Sequence, residues 1–324
     1  MNVLITGGLG VNGSWVTRKL VERGLRPVVL DNRADTSLIG PECARAVTIV
    51  EGDLTDPALL RRVLAEQAIE RVVHLAALIG HPDDPGAVFA VNAQATVHLL
   101  EAARQAGVRR FVFSSSRAAY GAIEGEHAHP TYRPIAEDHP LRPVHVYDVC
   151  KVASESMGRC YASQFGMEFV ALRFATIFGP GKTLRHKNFS ILSRIIEEPL
   201  HGRPVRIPRG GDQRDDMIYA DDVAEAIVLA LLHPKPRYTE YNISHARATT
   251  LHDLADAVRR QVPRADIEIA GGLDYIGSGV NYAGILDNTR ARADLGFEPR
   301  FSLDSAVADY IRQMKSLRLP PFDR

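Results

Sequence analysis

The feature that most constrains this chain is a glycine turn close to its start. An apolar run, Asn2 to Thr6, passes directly into Gly7-Gly8-Leu9-Gly10-Val11-Asn12-Gly13, and Ser14 to Arg23 continues with helical periodicity. Glycines at 7, 10 and 13 form a GxxGxxG turn between a strand and a helix. Without a Cβ, such residues let the backbone turn sharply and approach a ligand closely, and the helix N-terminus beyond them favours an anion such as a pyrophosphate. Asp31 stands at the end of the next apolar run. A carboxylate there accepts hydrogen bonds from the adenosine ribose and repels a 2′-phosphate, so the turn reads as an NAD site in preference to NADP. Arg33, two residues on, is the counter-signal for a 2′-phosphate and reads as a solvated loop residue. Asp53, in Gly52-Asp53-Leu54, stands where a carboxylate could bond the adenine amino group; its alternative use is to cap the helix beginning near Asp56-Pro57.

The turn opens a series. Asn2–Thr6, Pro27–Leu30, Val47–Val50, Arg71–Leu75 and Phe111–Ser114 read as short strands with helical patterns between them, and Val170–Phe174 as a further strand. The helix before it, Tyr147 to Gln164, keeps Val149, Ala153, Met157, Cys160 and Tyr161 near one face. Such alternation predicts an α/β fold, a Rossmann-type doubly wound parallel sheet covered on both faces. After Gly179-Pro180-Gly181 the pattern changes, with helices near Ser190–Glu198, Asp221–Leu232, Leu251–Val262 and Leu303–Lys315 and only short strands between. The expected division is an NAD-binding domain over 1–175 and a smaller C-terminal α+β substrate-binding lobe over 176–324, with 214–242 returning to the first.

Charge and cysteine content narrow the partners. Lys plus Arg and Asp plus Glu both total 39, so no global field recruits nucleic acid or an anionic membrane, and a small molecule is the expected partner. No apolar stretch approaches membrane-spanning length and the start lacks the pattern of a signal peptide, which leads to the expectation of a cytoplasmic protein. The three cysteines, Cys43, Cys150 and Cys160, form no CxxC pair and are expected to be buried thiols.

Two further motifs carry chemistry. Tyr147-Asp148-Val149-Cys150-Lys151 is a YxxxK pair, whose spacing puts the phenol and the ammonium on one helical face. A phenol has a pKa of about 10; a fixed cation beside it favours the phenolate and makes it a usable acid-base group. Ser114-Ser115-Ser116-Arg117-Ala118-Ala119-Tyr120-Gly121 follows the fifth strand, so its hydroxyls lie at the carboxyl edge of the sheet, the ligand position of a doubly wound fold. With these residues the chain resembles the extended short-chain dehydrogenase/reductases, the NAD-dependent epimerase/dehydratase family typified by UDP-galactose 4-epimerase. The matches run in order along nearly the whole chain: GGLGVNG, LDN at 30–32, GDL at 52–54, HLAA at 74–77, Asn92, SSSRAAYG, YDVCK, LRFATIFGPG at 172–181, QRDDMIYADDVA at 213–224 and LDNTRARADLGFEP at 286–299.

The resemblance implies a seven-stranded Rossmann-type domain holding NAD tightly, with Ser116 binding the reacting oxygen, Tyr147 as acid-base and Lys151 bonding the nicotinamide ribose. It places Leu75, Ala76, Ala77 and Asn92 along the cofactor cleft, with Gly7, Gly10, Val11, Asn12, Gly13, Asp31, Asn32, Asp53, Leu54, Ser114 and Phe174 as the other cofactor contacts. It also implies a homodimer through a four-helix contact between the segments 87–104 and 147–164. Family dehydratases carry acidic residues directly after the catalytic hydroxyl, where this chain has Arg117 and Ala118, so dehydration ranks below epimerisation and dehydrogenation. Nucleotide-sugar enzymes of the family commonly have Asn where this chain has Thr176, and an arginine in the stretch occupied here by Ile276-Gly277-Ser278-Gly279. Arg214 is retained, and Asn188, with Ser116, Arg117 and Thr176, completes the expected substrate contacts.

His81, His127, His129, His139 and His145 lie in Pro-interrupted loops without coherent ligand spacing, so no metal is expected. Arg185, His186 and Lys187 form a basic run that suits a carboxylate, a phosphate or solvent. The expectation is a nucleotide-sugar epimerase-like enzyme acting on a secondary alcohol through a transient keto sugar. The alternative is an NAD-dependent dehydrogenase of a small hydroxy acid, sugar acid or amino alcohol. A non-catalytic NAD-binding regulator would keep the glycine turn and lose Ser116, Tyr147 and Lys151, all of which are present.

Overall fold

A computed structural model describes residues 1–79, 84–183 and 190–320. In the first half, strands β1 (Val3–Thr6), β2 (Val28–Asp31), β3 (Thr48–Glu51), β4 (Arg71–His74) and β5 (Arg110–Ser116) alternate with helices α1 (Val11–Glu22), α2 (Gly40–Arg45), α3 (Pro57–Glu66), α4 (Pro85–Phe89) and α5 (Ala95–Gln105). Helix α6 (Val146–Phe165) leads into β6 (Glu168–Phe174) and β7 (Thr176–Phe178). The remaining strands are β8 (Val205–Ile207), β9 (Arg214–Tyr219), β10 (Glu240–Ile243), β11 (Ala248–Thr250) and β12 (Ile267–Ile269).

Seven strands form one parallel sheet in the order β10-β6-β5-β4-β1-β2-β3. β1, buried along its whole length, is all apolar up to Thr6, as a strand covered on both faces requires. One face packs against α3, α5 and α6 through Leu59, Leu60, Leu99, Leu100, Phe111 and Phe169. The other is covered by α1 and the helix Ala220–Leu232, whose Val223, Ala226, Ile227 and Ala230 join Val16 and Leu20 in the core. Asp56, not Asp53, caps α3, accepting from the N–H groups of Ala58 and Leu59 at 2.9 and 3.1 Å.

Segment 214–242 divides. β9 pairs with β7 and β11 in a separate three-stranded sheet, the helix Ala220–Leu232 lies against the large sheet, and β10 joins that sheet beside β6. β8 and β12 make a two-stranded sheet, and the helices Ile191–Leu200, Leu251–Gln261 and Leu303–Ser316 lie within two residues of the sequence expectations at each end.

Two details differ from the sequence reading. The helix expected over 87–104 is interrupted: a π-helical turn, Ala90–Gln94, separates α4 from α5. Cys43 and Cys150 are buried, but Cys160 is exposed, because it sits on the outer stripe of α6 with Val146, Val149 and Ala153.

Candidate active site

The carboxyl ends of β1, β2 and β4 open onto a cleft floored by the glycine turn. Gly7 has φ +68°, its N–H donates to the Leu30 carbonyl at 2.8 Å, and the Gly10 N–H donates back to the Gly7 carbonyl at 3.1 Å. Close packing dictates glycine here. A Cβ on Gly13 would lie 2.0 Å from the Gly7 oxygen, and one on Gly7 would lie 2.8 Å from the Ala76 backbone. Gly7, Gly10, Val11, Asn12, Gly13, Asp31, Asn32, Arg33, Asp53, Leu54, Leu75, Ala76 and Ala77 all line this cleft. The Asp31 carboxylate accepts from the Leu9 N–H at 3.0 Å and the Arg33 N–H at 3.3 Å, which holds its negative charge at the cleft wall. Asp53 accepts from the N–H and hydroxyl of Thr55, both at 2.8 Å, and these bonds lower its pKa.

Asn92 acts at one remove. Its side chain accepts from the Leu78 N–H at 2.7 Å and donates to the Leu78 carbonyl at 2.9 Å, so its amide positions Leu78, which lines the cleft, in place of facing the cleft itself. The cradle suits a dinucleotide on two grounds. Its close-packed glycine backbone meets the helix N-terminus, and the Asn12 Oδ1 is buried without a hydrogen-bond partner among the described residues.

Helix α6 and strand β5 bring Ser116, Tyr147 and Lys151 together. Ser116 ends β5, where its hydroxyl accepts from the Ala118 N–H at 3.1 Å, and it pairs in register with Phe174, a buried residue at the end of β6. Burial pushes the Tyr147 pKa well above the ordinary phenol value, and the neighbouring Ser116 hydroxyl opposes that shift. Lys151 donates to the Ser114 carbonyl at 2.6 Å and stands 5.4 Å from the Tyr147 ring centroid. Burial lowers its pKa to about 8, against the carboxylate of Glu155 one turn further on. A cation beside the phenol favours the phenolate, as the sequence suggested, and burial works against it.

Supporting residues appear that spacing did not single out. Glu155, fully buried, accepts from Ser115 at 2.5 Å and binds the Arg173 guanidinium at 2.7 and 2.9 Å, tying α6 to β5 and β6 beneath the site. Asp148 accepts from the Val144 and His145 N–H groups at 3.1 and 3.0 Å and from the Tyr282 hydroxyl at 2.6 Å, fixing the first turn of α6 and with it Tyr147. His145 meets the same Tyr282 hydroxyl at 2.5 Å. The rings of His127 and His139 are 4.9 Å apart, each hydrogen-bonded to a backbone carbonyl.

The expected substrate contacts divide. Arg117 is 8% exposed and ion-paired with Asp215, whose second oxygen accepts from Thr176 at 2.7 Å and Tyr275 at 2.6 Å. Arg117 and Thr176 are thus committed to one buried carboxylate beside Ser116. Arg214 is exposed, and its backbone N–H donates to the Tyr132 hydroxyl at 3.0 Å. Asn188, Arg185, His186, Lys187 and His81 lie outside the described residues. The stretch without an arginine has one supplied to it: a Cβ on Gly277 would lie 2.7 Å from the Arg209 guanidinium, which Asp274 approaches at 3.9 Å.

Residues 3–244 match the model of the NAD dependent epimerase/dehydratase family. The chain is 32% identical over 315 residues to a UDP-glucose 4-epimerase of Mycolicibacterium smegmatis, covering 95% of this chain and 96% of that one. The UDP-glucose 4-epimerase of Thermotoga maritima, solved with UDP-glucose, superimposes with a TM-score of 0.84 at 27% identity, over 98% of this chain and 99% of that one. MoeE5, solved with UDP-glucuronic acid and NAD, superimposes with a TM-score of 0.79 at 29% identity, over 98% and 99% of the two chains.

Proposed function

The chain belongs to the NAD-dependent epimerase/dehydratase family, and on that premise we propose that it epimerises a nucleotide sugar at a secondary alcohol through a transient keto sugar. The observation that carries the reading is the convergence of Ser116, Tyr147 and Lys151 beside a glycine cradle that suits NAD. We assign the dinucleotide to the cleft of the large sheet and the sugar nucleotide to the side built from residues 176–324. Gly7, Gly10, Val11, Asn12 and Gly13 hold the pyrophosphate; Asp31 and Asn32 take the adenosine ribose, and its charge favours NAD. Asp53 and Leu54 flank the adenine; Leu75, Ala76 and Ala77 form the facing wall. Ser114, through its carbonyl, and Phe174 position Lys151 and Ser116.

NAD supplies the hydride acceptor and, when oxidised, a positive charge beside the phenol. Tyr147, kept protonated by burial, requires such cations to become a base: Lys151 is one, and the oxidised ring is the other. Tyr147 then takes the proton of the sugar hydroxyl while Ser116 donates a hydrogen bond to the same oxygen. In the second half Tyr147 would return that proton to the same oxygen as the hydride held by the cofactor comes back to the other face of the carbon. Arg209, laid against Gly277, supports recognition of the diphosphate in the absence of an arginine at 276–279.

Epimerisation is tested with the purified protein, NAD, and UDP-glucose or UDP-galactose. The expected result is formation of the 4-epimer by NMR with no growth of reduced-nicotinamide absorbance. Stoichiometric reduced nicotinamide from a free sugar acid, with no epimer from any sugar nucleotide, would make the protein a dehydrogenase.

We further propose a cytoplasmic homodimer. No helix among the described residues is long and apolar enough to cross a membrane. Phe89 on α4 and Val146 and Val149 on α6 are large, apolar and exposed, on helices that pack together. A second copy of this face would bury them in a four-helix contact. Phe89→Asp combined with Val149→Asp should halve the mass seen by light scattering; an unchanged mass would place the interface elsewhere.

A further inference from the structure

We propose that His74 is a positioning residue for the cofactor: from the centre of a one-way chain of hydrogen bonds it holds the cleft wall over residues 75–78, a reading that rests on the assignment of the dinucleotide to that cleft. Leu75, Ala76, Ala77 and Leu78 line the cleft directly after β4. The Ala76 backbone also closes the glycine turn, since a Cβ on Gly7 would lie 2.8 Å from its N and Cα. A shift of this wall therefore reaches the cradle itself.

Thr6 at the end of β1 and His74 at the end of β4 pair in register, and both are buried, as is Thr96 on α5. The Ala76 N–H donates to the Thr6 hydroxyl at 3.4 Å, and that hydroxyl meets His74 Nδ1 at 2.7 Å. On the other side of the ring, Nε2 meets the Thr96 hydroxyl at 2.8 Å, and Thr96 donates to the Asn92 carbonyl at 2.9 Å. Counting protons sets the direction of each bond. Thr96 has one proton and spends it on a carbonyl, so it accepts from Nε2, which must carry a hydrogen. In a neutral imidazole Nδ1 is then bare and accepts from Thr6, whose lone pairs stay free for Ala76. The other tautomer would set two lone pairs against each other at Thr96. Burial, together with the Lys151 cation on α6, lowers the His74 pKa to about 3 and keeps the ring neutral. The β5 rings packed on it, Phe111 and Phe113, carry no charge and stand 5.8 and 5.7 Å away.

The far end of the chain returns to the same wall. The Asn92 carbonyl also accepts from the Ser154 hydroxyl of α6 at 3.1 Å, while the Asn92 side chain clamps Leu78. One network thus grips the wall at Ala76 and at Leu78 and ties it to the helix that carries Tyr147 and Lys151.

The test uses the full-length protein. In nitrogen-15 correlation spectra the His74 ring, assigned by its loss in His74→Gln, should show hydrogen on Nε2 and none on Nδ1, unchanged between about pH 5 and 8, where an ordinary histidine titrates. In calorimetric titration Thr6→Val, which keeps the shape and removes the hydroxyl, should lower NAD affinity by about tenfold, the net worth of one hydrogen bond, and Thr6→Ser should restore most of it. Ser244→Ala is the matched control: it removes a buried hydroxyl that accepts from the Ala246 N–H at 3.2 Å and donates to the Leu286 carbonyl at 2.9 Å, and it should leave NAD affinity unchanged. Hydrogen on Nδ1, a ring that titrates in that range, or equal NAD affinity in Thr6→Val and the wild type would overturn the positioning role and leave the cofactor assignment standing. If the wild type does not bind NAD, both fall.

Discussion

Replacing Tyr147 with Phe is expected to lower turnover by about 10²–10⁴-fold, the usual worth of a positioned acid-base group. The substitution removes one oxygen and little else. The Tyr147 ring packs against the cluster of Val88, Ala93 and Cys150 on the flank of α6, and phenylalanine keeps that contact. The glycine cradle and Asp31 are untouched, so NAD should bind as before by calorimetric titration, and the melting temperature should hold or rise slightly. What disappears is the hydroxyl beside Ser116 that is proposed to exchange a proton with the substrate. Near-normal turnover in this variant would remove Tyr147 from the mechanism and leave Ser116 or a bound water to carry the proton.

Gly13→Ala is expected to have the second largest effect, and on binding. The new methyl would start 2.0 Å from the Gly7 oxygen and 2.7 Å from the Gly8 Cα, both backbone atoms that no side-chain rotation can clear. The turn must open, which moves the N–H groups of the first turn of α1 away from where the proposed site would hold a pyrophosphate. We expect NAD affinity to fall by at least about tenfold and stability to drop by about 1–3 kcal/mol, as for an overpacked core site. Gly24→Ala is the control. It has open space around its Cβ but φ +78°, so it should cost roughly 1 kcal/mol of backbone strain and leave NAD affinity unchanged. Equal loss of affinity in both variants would show that Gly13 acts through general stability and not through the cradle.

The glycine turn, Asp31, the YxxxK pair and the strand-helix alternation were legible in the sequence because each depends on local spacing. A period of two or 3.6 residues, or an i, i+4 pair, says which side chains share a face before any long-range contact forms. The seven parallel strands follow from that alternation. Ordered motifs extended the reading to Ser116, since the end of a doubly wound strand is where ligands meet the sheet.

What spacing could not reveal is how charges are matched across the fold. Arg117 read as a substrate contact, yet Asp215 engages it from 98 positions away, and Thr176 and Tyr275 complete the same carboxylate. Beside Gly277 stands the guanidinium of Arg209, brought there from 68 positions away. Asn92 turned out to clamp Leu78, and Asp148 to anchor Tyr282 from the second half of the chain. The pKa of Tyr147 likewise depends on how deeply packing buries the phenol, which no YxxxK motif encodes. The sequence by itself determined the sheet, the glycine cradle and the pairing of Tyr147 with Lys151 on one helical face, because these rest on local backbone geometry and periodicity. Only the tertiary structure decided which charges are neutralised, which remain available to a ligand and how burial sets their protonation, because electrostatic energies depend on distances and desolvation between residues far apart in the chain.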